Sequence, residues 1–110
     1  MKAANIDICK ELYELSSWDD TDNNRYLGKG NEVPMYECGY LLRKLPESIE
    51  SGLKDRKAWL SMDNLGSDGW QYCYRSGRAI PVCIVIADTP EDALCKLAIE
   101  LFKQGILTKE

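Results

Sequence analysis

Residues 88–107 of this 110-residue chain, DTPEDALCKLAIELFKQGIL, restrict the fold more than any other segment. Thr89 is placed to cap a helix, because its hydroxyl can accept a hydrogen bond from a first-turn amide, and Pro90 suits the first helical position. Gly105 suits the left-handed residue that ends a helix. Between them, apolar residues recur at the spacing of one helical face: Leu94, Leu97, Ala98 and Leu101. The sequence therefore predicts a helix over Pro90–Gln104 whose apolar stripe packs on a sheet.

Three strands are predicted before this helix. Alternating apolar and polar residues indicate strands at Ala58–Met62 and Trp70–Tyr74. Ile80–Ile86 is almost wholly apolar, which is typical of a central strand that is covered on both faces. Because the connections between these segments are short, we expect an antiparallel meander.

Two further helices are predicted in the first half of the chain. The first covers about Asn5–Leu15, and the second begins near Pro34 and stops before Pro46. Gly39 would weaken the second helix, so we expect a close packing contact at that position. Residues 46–57 are polar and are expected to hold one short helical turn.

Residues 19–32, DDTDNNRYLGKGNE, predict a polar surface loop that is longer than most connections in a compact domain. The D-x-D-x-N pattern that starts at Asp20 opens like a calcium-binding loop. The pattern then fails, because Arg25 stands where such a loop needs glycine and Asn31 where it needs a bidentate glutamate. We therefore expect a solvated loop without a metal.

The composition limits the class of protein. An apolar content of 45% with 29% charged residues is typical of a folded domain, and we expect a single domain over residues 1–110. The net charge of −4 argues against a non-specific grip on nucleic acid or an anionic membrane. No apolar run reaches the roughly 18 residues of a membrane span, and the N-terminus lacks the apolar core of a secretion signal. These features predict a cytoplasmic protein whose five widely spaced cysteines are reduced core thiols.

Catalytic motifs are missing from the sequence. The chain has no histidine, so a cysteine nucleophile lacks its usual base, and no Gly-rich phosphate loop is present. Cys95 falls near the start of the last helix, where the helix dipole favours a thiolate, but its neighbours are core residues. We expect no enzyme, no catalytic residue, no cofactor and no metal. A mechanism based on paired carboxylates stays open, because Asp and Glu are numerous.

Three parts of the chain resemble a known group of proteins: GYLLRKLP at residues 39–46, the two strands that carry Trp59 and Trp70, and the segment 87–107. Together they are similar to small proteins of tailed bacteriophages and prophages in the phage ABA sandwich domain family. The resemblance implies a sheet between helical layers in a phage-encoded accessory protein within the bacterial cell. It implies no catalytic residue.

The sequence and the resemblance together predict an α/β (α+β) fold. In this fold a three-stranded antiparallel sheet is sandwiched by helices, with the C-terminal amphipathic helix on one face and the first two helices on the other.

The leading functional hypothesis is a non-enzymatic phage accessory protein that binds a host factor or a host defence complex. Exposed aromatic and charged residues near the long loop are the candidate contact residues, although Trp18 could instead cap the core below the first helix. One alternative is a single-stranded nucleic-acid-binding module that stacks bases on the strand carrying Trp70, Tyr72 and Tyr74. Another is a structural phage protein, and oligomerisation through a sheet edge is compatible with all of these. The candidate partner-binding residues are Trp18, Asp19, Asp20, Asp22, Arg25 and Tyr26.

Overall fold

The computed structural model describes residues 3–21, 25–27, 32–50, 57–75 and 82–108. Within these ranges the chain has an α+β fold with three helices and two antiparallel sheets. The elements in chain order are α1 (Ile6–Ser16), β1 (Arg25–Leu27), β2 (Glu32–Pro34), α2 (Cys38–Lys44), β3 (Ser48–Glu50), β4 (Lys57–Asn64), β5 (Trp70–Arg75), β6 (Val82–Ala87) and α3 (Pro90–Lys103).

The main sheet is an antiparallel meander of four strands in the order β3-β4-β5-β6. The expected meander is confirmed, but the expected number of three strands is wrong. The additional strand, β3, lies where a helical turn was expected, and Ile49 pairs with Ala58 of β4. A strand of three residues has too short a pattern to be recognised without its partner. Residues 51–56 of the segment in which that turn was expected lie outside the described residues.

Helix α3 follows its sequence signals closely. The Thr89 hydroxyl accepts a hydrogen bond from the Asp92 amide at 3.1 Å, and Pro90 is the first helical residue. Gly105 adopts a left-handed conformation with φ +76°, and the amide of Ile106 donates to the carbonyl of Leu101 at 2.9 Å. These contacts form the expected glycine-based helix ending. The predicted stripe of Leu94, Leu97, Ala98 and Leu101 is fully buried.

All three helices lie on one side of the main sheet in the described part of the chain. α3 packs on β5 and β6, while α1 and α2 pack on α3. The Cys95 thiol contacts the carbonyl of Ile8 in α1 at 3.7 Å, and the Tyr74 hydroxyl donates to the carbonyl of Pro46, just after α2, at 2.8 Å. The expected two-sided sandwich is therefore wrong.

A second apolar stripe on α3 explains this arrangement. Ala93, Cys95 and Ile99 are buried in addition to the predicted stripe, so apolar contact extends over about two thirds of the helix circumference at roughly 100° per residue. One side of α3 faces the sheet and the other receives α1 and α2. The face of the sheet that points away from α3 then carries no helix of the described ranges.

Strand β6 lies at the edge of the sheet, so the expectation of a central strand covered on both faces is wrong. Val85 and Ala87 pack into the core, whereas Ile84 and Ile86 point outward and are about half exposed, at 48% and 50%. The apolar residues of β6 therefore lie in two different surroundings: one side of the strand packs into the core and the other is half exposed. Ile80 and Pro81, which were expected to begin this strand, lie outside the described residues.

The segment before α2 also differs from the prediction. Residues 19–32 were expected to form an irregular loop, but β1 pairs with β2, and Arg25 lies opposite Pro34. Pro34 is therefore a strand residue, and α2 begins only at Cys38. Gly39 has open space around it, so the expected close contact there is absent. α1 is confirmed, with Asn5 as its cap.

Candidate functional site

The chain leaves α1 through a turn that fixes the backbone of Trp18. Ser17 is left-handed, with φ 58°, and its amide donates to the carbonyl of Tyr13 at 2.8 Å. The Trp18 amide donates to the hydroxyl of Ser16 at 3.1 Å, and the Trp18 carbonyl accepts a hydrogen bond from the Tyr36 hydroxyl. Because both polar groups of its backbone are bonded, Trp18 has little freedom to move.

The Trp18 ring is held between two helices. It meets the Phe102 ring of α3 edge to face, with centroids 5.3 Å apart, and the Tyr40 ring of α2 with centroids 6.5 Å apart. Such edge-on pairs are favoured by the charge distribution of aromatic rings. Trp18 is partly buried. It therefore covers the end of the core and also leaves part of its ring at the surface.

Two oppositely charged side chains, those of Asp20 and Lys44, lie near this ring. The carboxylate of Asp20 accepts hydrogen bonds from the Tyr40 hydroxyl and, at 3.1 Å, from the Lys44 ammonium. The same ammonium lies 5.8 Å from the Trp18 ring centroid and 5.6 Å from that of Tyr40, within the range of cation–π attraction. We call the set Trp18, Asp20, Tyr40, Lys44 and Phe102 the Trp18 corner.

The hydrogen bonds of the Trp18 corner set its ionisation. The hydrogen bonds from Tyr40 and Lys44 lower the pKa of Asp20, so this carboxylate stays charged at neutral pH. Burial, together with the hydrogen bond to Asp20, raises the pKa of Tyr40, which therefore stays a proton donor. The Asp20 side chain is 65% exposed. Since a carboxylate offers roughly four acceptor positions, it can also meet a donor from outside the chain.

A concave pocket of about 410 Å³ opens beside the Trp18 ring. Its walls combine aromatic, hydroxyl and ammonium groups from the end of α1, from α2 and from the C-terminal part of the chain. An aromatic ring at the rim of such a depression is a typical anchor for a protein partner. The lining residues are Ser16, Ser17, Trp18, Lys44, Phe102, Leu107 and Thr108.

The structure brings together only some of the partner-binding residues that were predicted from the sequence. Asp19 and Asp20 are exposed next to Trp18. Asp22 lies outside the described residues, and for Arg25 and Tyr26 only the backbone of β1 is described. Tyr40, Lys44 and Phe102 were missed. The four-residue spacing of Tyr40 and Lys44 on a helix was a usable signal, because such residues are neighbours on one face.

A second surface, which the sequence did not predict, is the outer face of the main sheet. We define the outer patch as Trp59, Asp63, Gln71, Arg75, Ile84 and Ile86. Register places these side chains on one face, since Trp59 is paired with Arg75, Asp63 with Gln71, and Gln71 with Ile86. Trp59 is 56% exposed. The apolar members are therefore accessible on the side away from the Trp18 corner.

The face of β5 that was proposed for nucleic-acid stacking is buried. Tyr72 and Tyr74 belong to the main hydrophobic core, with 6% and 0% of their surface exposed, and only Trp70 is partly accessible. Rings in this position cannot stack on bases without unfolding the core. The hypothesis of base stacking on this strand is wrong because the helices cover that face.

The described residues give little support for a cysteine nucleophile or a metal site. Contact with the Cys9 thiol, followed by burial, raises the pKa of Cys95, and burial also raises the pKa values of Cys38 and Cys83. The Cys9 pKa is lowered by its hydrogen bond with Cys95, but the side chain is fully buried. Within the described ranges, no three His, Cys, Asp or Glu side chains are grouped to hold a metal ion.

No helix in the described segments has the length and apolar character required to cross a membrane. The comparisons with protein-family models, with curated proteins and with solved structures find no match to this chain.

Proposed function

We propose that this chain is a non-enzymatic protein-binding module whose Trp18 corner recognises a basic segment of a partner protein. The observation that carries the proposal is the partly exposed Trp18 ring, locked against Tyr40 and Phe102 and placed beside the exposed Asp20 carboxylate. Aromatic anchors in rigid settings dominate protein interfaces. A ring that is already held loses little conformational freedom when it binds.

The charge of the corner defines the chemistry of the partner. Lys44 pairs with Asp20 within the corner, so the excess negative charge there comes from the exposed Asp19 and from the chain as a whole, which carries a net charge of −4. A lysine or arginine side chain would bind the acceptor positions that Tyr40 and Lys44 leave open on the Asp20 carboxylate, while its aliphatic part lies on the Trp18 ring. The negative charge of the chain would also speed the encounter with a basic surface.

The biological setting belongs to the same proposal. In it, the chain is a bacteriophage or prophage accessory protein of the bacterial cytoplasm, and its partner is a host factor or a defence complex. The support is the resemblance of residues 39–46 and 87–107 to such phage proteins.

Affinity purification from a bacterial host lysate tests this function with a matched pair of variants. Asp20→Lys reverses the charge at the Trp18 corner, while Asp68→Lys reverses an exposed charge in the turn before β5. We expect a partner that wild type and Asp68→Lys retain and that Asp20→Lys loses. Its retention should also fall as the salt concentration rises from about 50 mM to about 500 mM.

Circular dichroism and thermal unfolding of each variant show whether the fold is intact. Equal capture by all three proteins, or the recovery of no partner at all, would overturn the proposal.

A further inference from the structure

Two of the free cysteines meet at the contact between α1 and α3. Cys9 and Cys95 are both fully buried, and their side chains are hydrogen-bonded to each other. The Cys95 thiol also lies 3.7 Å from the carbonyl oxygen of Ile8, the residue before Cys9. The two cysteines come from opposite ends of the chain, so only the folded structure brings their sulfur atoms together.

Contacts on both sides of this thiol pair hold the two helices in place. Before the cysteines, the Asn5 amide donates to the Asp92 carboxylate at 2.6 Å. After them, the Lys103 ammonium binds the Glu11 carboxylate at 3.1 Å. A disulfide requires two cysteines whose side chains already face each other, because large backbone movements strain the bond. The pair between α1 and α3 meets this requirement.

The surroundings of the two thiols give them different acidities. The hydrogen bond from Cys95 lowers the pKa of Cys9, whereas the contact with Cys9, followed by burial, raises the pKa of Cys95. Since the thiolate is the reactive form of cysteine, Cys9 is the member that attacks an oxidant. Cys95 keeps its proton and lies in position to react with the oxidised Cys9.

The other three cysteines, all within the described ranges, form no such pair. Cys73 and Cys83 belong to neighbouring strands, but they point to opposite faces of the sheet. Cys73 points away from the face of Tyr72 and Tyr74, whereas the Cys83 thiol donates to the Gln104 side chain of α3 at 3.4 Å.

Cys38 lies in α2, on a different element again. Its pKa is raised by burial and by the nearby carboxylates of Glu91 and Glu37, so its thiol stays protonated and unreactive.

We infer that Cys9 and Cys95 form a redox site that a peroxide converts into a disulfide between α1 and α3. The Cys9 thiolate attacks one peroxide oxygen, so that an S–O bond forms and the O–O bond breaks. The departing hydroxide takes up a proton and leaves as water. The Cys95 sulfur then attacks the Cys9 sulfur, the S–O bond breaks, and the hydroxyl leaves with the Cys95 proton as a second water. Two thiols are thereby oxidised, and one peroxide is reduced to two waters.

Burial determines which oxidant can use this site. The pair is closed to large substrates, so it is a site of modification and not a catalytic nucleophile. A peroxide contains only two heavy oxygen atoms and can reach the sulfur atoms through a local opening of α1. The Trp18 corner lies beyond the other end of α1 and takes no part in this reaction, so the inference stands apart from the proposed function.

The disulfide would stabilise the folded chain. It joins residue 9 to residue 95, and a bridge across so long a segment removes much of the freedom of the unfolded chain. We expect oxidation to raise the midpoint of urea unfolding by at least about 1 M, and dithiothreitol to reverse this rise.

Peptide mapping of the full chain tests the site directly. The folded protein is treated with hydrogen peroxide, and the remaining thiols are blocked with N-ethylmaleimide. Cleavage after Lys and Arg and before Asp places each cysteine in a separate peptide, with Cys9 in residues 7–10 and Cys95 in residues 92–96. Mass spectrometry should find these two peptides linked as the main product, in a protein that stays monomeric on a non-reducing gel.

Cys95→Ala and Cys73→Ala are matched variants, because both cysteines are fully buried. Cys95→Ala should lose both the linked peptide and the rise of the urea midpoint, whereas Cys73→Ala should keep both. If Cys95→Ala does not fold, the wild-type map and its reversal by dithiothreitol decide the question without a variant.

Several results would overturn the inference. One is a folded protein in which the peptides 7–10 and 92–96 stay unlinked after peroxide treatment, including the case in which Cys9 accumulates as a sulfenic or sulfinic acid. Others are linkage that appears only in protein unfolded by urea, and a mixture in which other cysteine pairs are linked equally often. A urea midpoint that stays the same or falls on oxidation would refute the stabilising link between α1 and α3.

Discussion

Replacing Gly69 with alanine should destabilise the fold strongly, because the chain passes too close to a neighbouring strand for any side chain. Gly69 lies between a short turn and β5, with φ 102° and ψ −149°. A β-carbon there would lie 2.4 Å from the carbonyl oxygen of Ala87 and 3.1 Å from its carbonyl carbon. Both atoms belong to the backbone of β6, so no side-chain rotation can relieve the clash.

Two terms contribute to the expected loss. The backbone conformation of Gly69 is one that residues with a β-carbon adopt at a cost of about 1–3 kcal/mol. Relieving the clash requires the end of β6 to move away from β5, and overpacking of this kind costs about 1–3 kcal/mol. We expect a loss of about 3 kcal/mol in total, which corresponds to a fall of roughly 12 °C in Tm for a domain of this size.

Two other glycines provide matched controls. Gly105 has φ +76° but open space around it, so Gly105→Ala should cost only about 1 kcal/mol of conformational strain. Gly39 lies in α2 with open space and an ordinary backbone, so Gly39→Ala should stabilise by about 0.5 kcal/mol. The three variants separate the effect of steric contact from that of conformation.

Urea unfolding followed by tryptophan fluorescence measures these differences in the free energy of unfolding. The comparison requires that the slope of this free energy against urea concentration is the same in all variants. From the most stable to the least stable, the order should be Gly39→Ala, wild type, Gly105→Ala and Gly69→Ala. If Gly69→Ala proves as stable as Gly105→Ala, the close approach of β6 to this turn is not a feature of the folded protein.

Three further predictions concern a cap, the core and a carboxylate. Thr89→Ala should lower the free energy of unfolding by about 1 kcal/mol, because the hydroxyl caps α3, while Thr89→Ser should change it little in urea unfolding. Leu97→Ala should lower the free energy of unfolding by about 3 kcal/mol, because the side chain is fully buried. Leu42→Ala on the surface should lower it by less than about 0.5 kcal/mol. Similar losses for the two variants would contradict the packing of α3. The pKa of Asp20 is lowered in the folded state, so its stabilising contribution is present above the unfolded value of about 3.9 and is lost as the pH falls below it. The stability difference between wild type and Asp20→Asn should therefore shrink from pH 6 to about pH 3, and a constant difference would refute this explanation.

Local signals account for the elements that were predicted well. In α3, the cap at Thr89 and the ending at Gly105 depend on contacts between residues within one or two turns. The same holds for α1, where the Asn5 side chain accepts a hydrogen bond from the amide of Asp7 at 2.9 Å. Capping and stripe patterns use only neighbours along the chain, so they can be read before any tertiary contact is known.

The short strands depended on their partners. Ser48–Glu50 and Glu32–Pro34 each contain three residues, and each is a strand only because another segment pairs with it. Pro34 fits a first helical turn equally well by local preference. Its pairing with Arg25 places it in a strand instead.

The candidate site was predictable only in part for the same reason. Trp18, Asp19 and Asp20 are adjacent in sequence, and the exposure of the two aspartates follows from the polar segment that they begin. The groups that hold the Trp18 ring, Tyr40 and Phe102, come from two helices that meet only in the folded chain.

The sequence by itself determined where α1 and α3 begin and end. It also determined the main buried stripe of α3 and the meander order of the strands. Tertiary structure decided on which side of the sheet the helices lie. That choice depends on contacts such as the bond between the Asn5 amide and Asp92 and the contact of Cys95 with Ile8, each joining residues 87 positions apart. An apolar residue in one segment is compatible with any apolar partner, so the pattern around Ile84 fitted a covered strand and an exposed edge equally well. Because α1, α2 and the sheet all pack on α3, no helix of the described ranges lies on the outer patch.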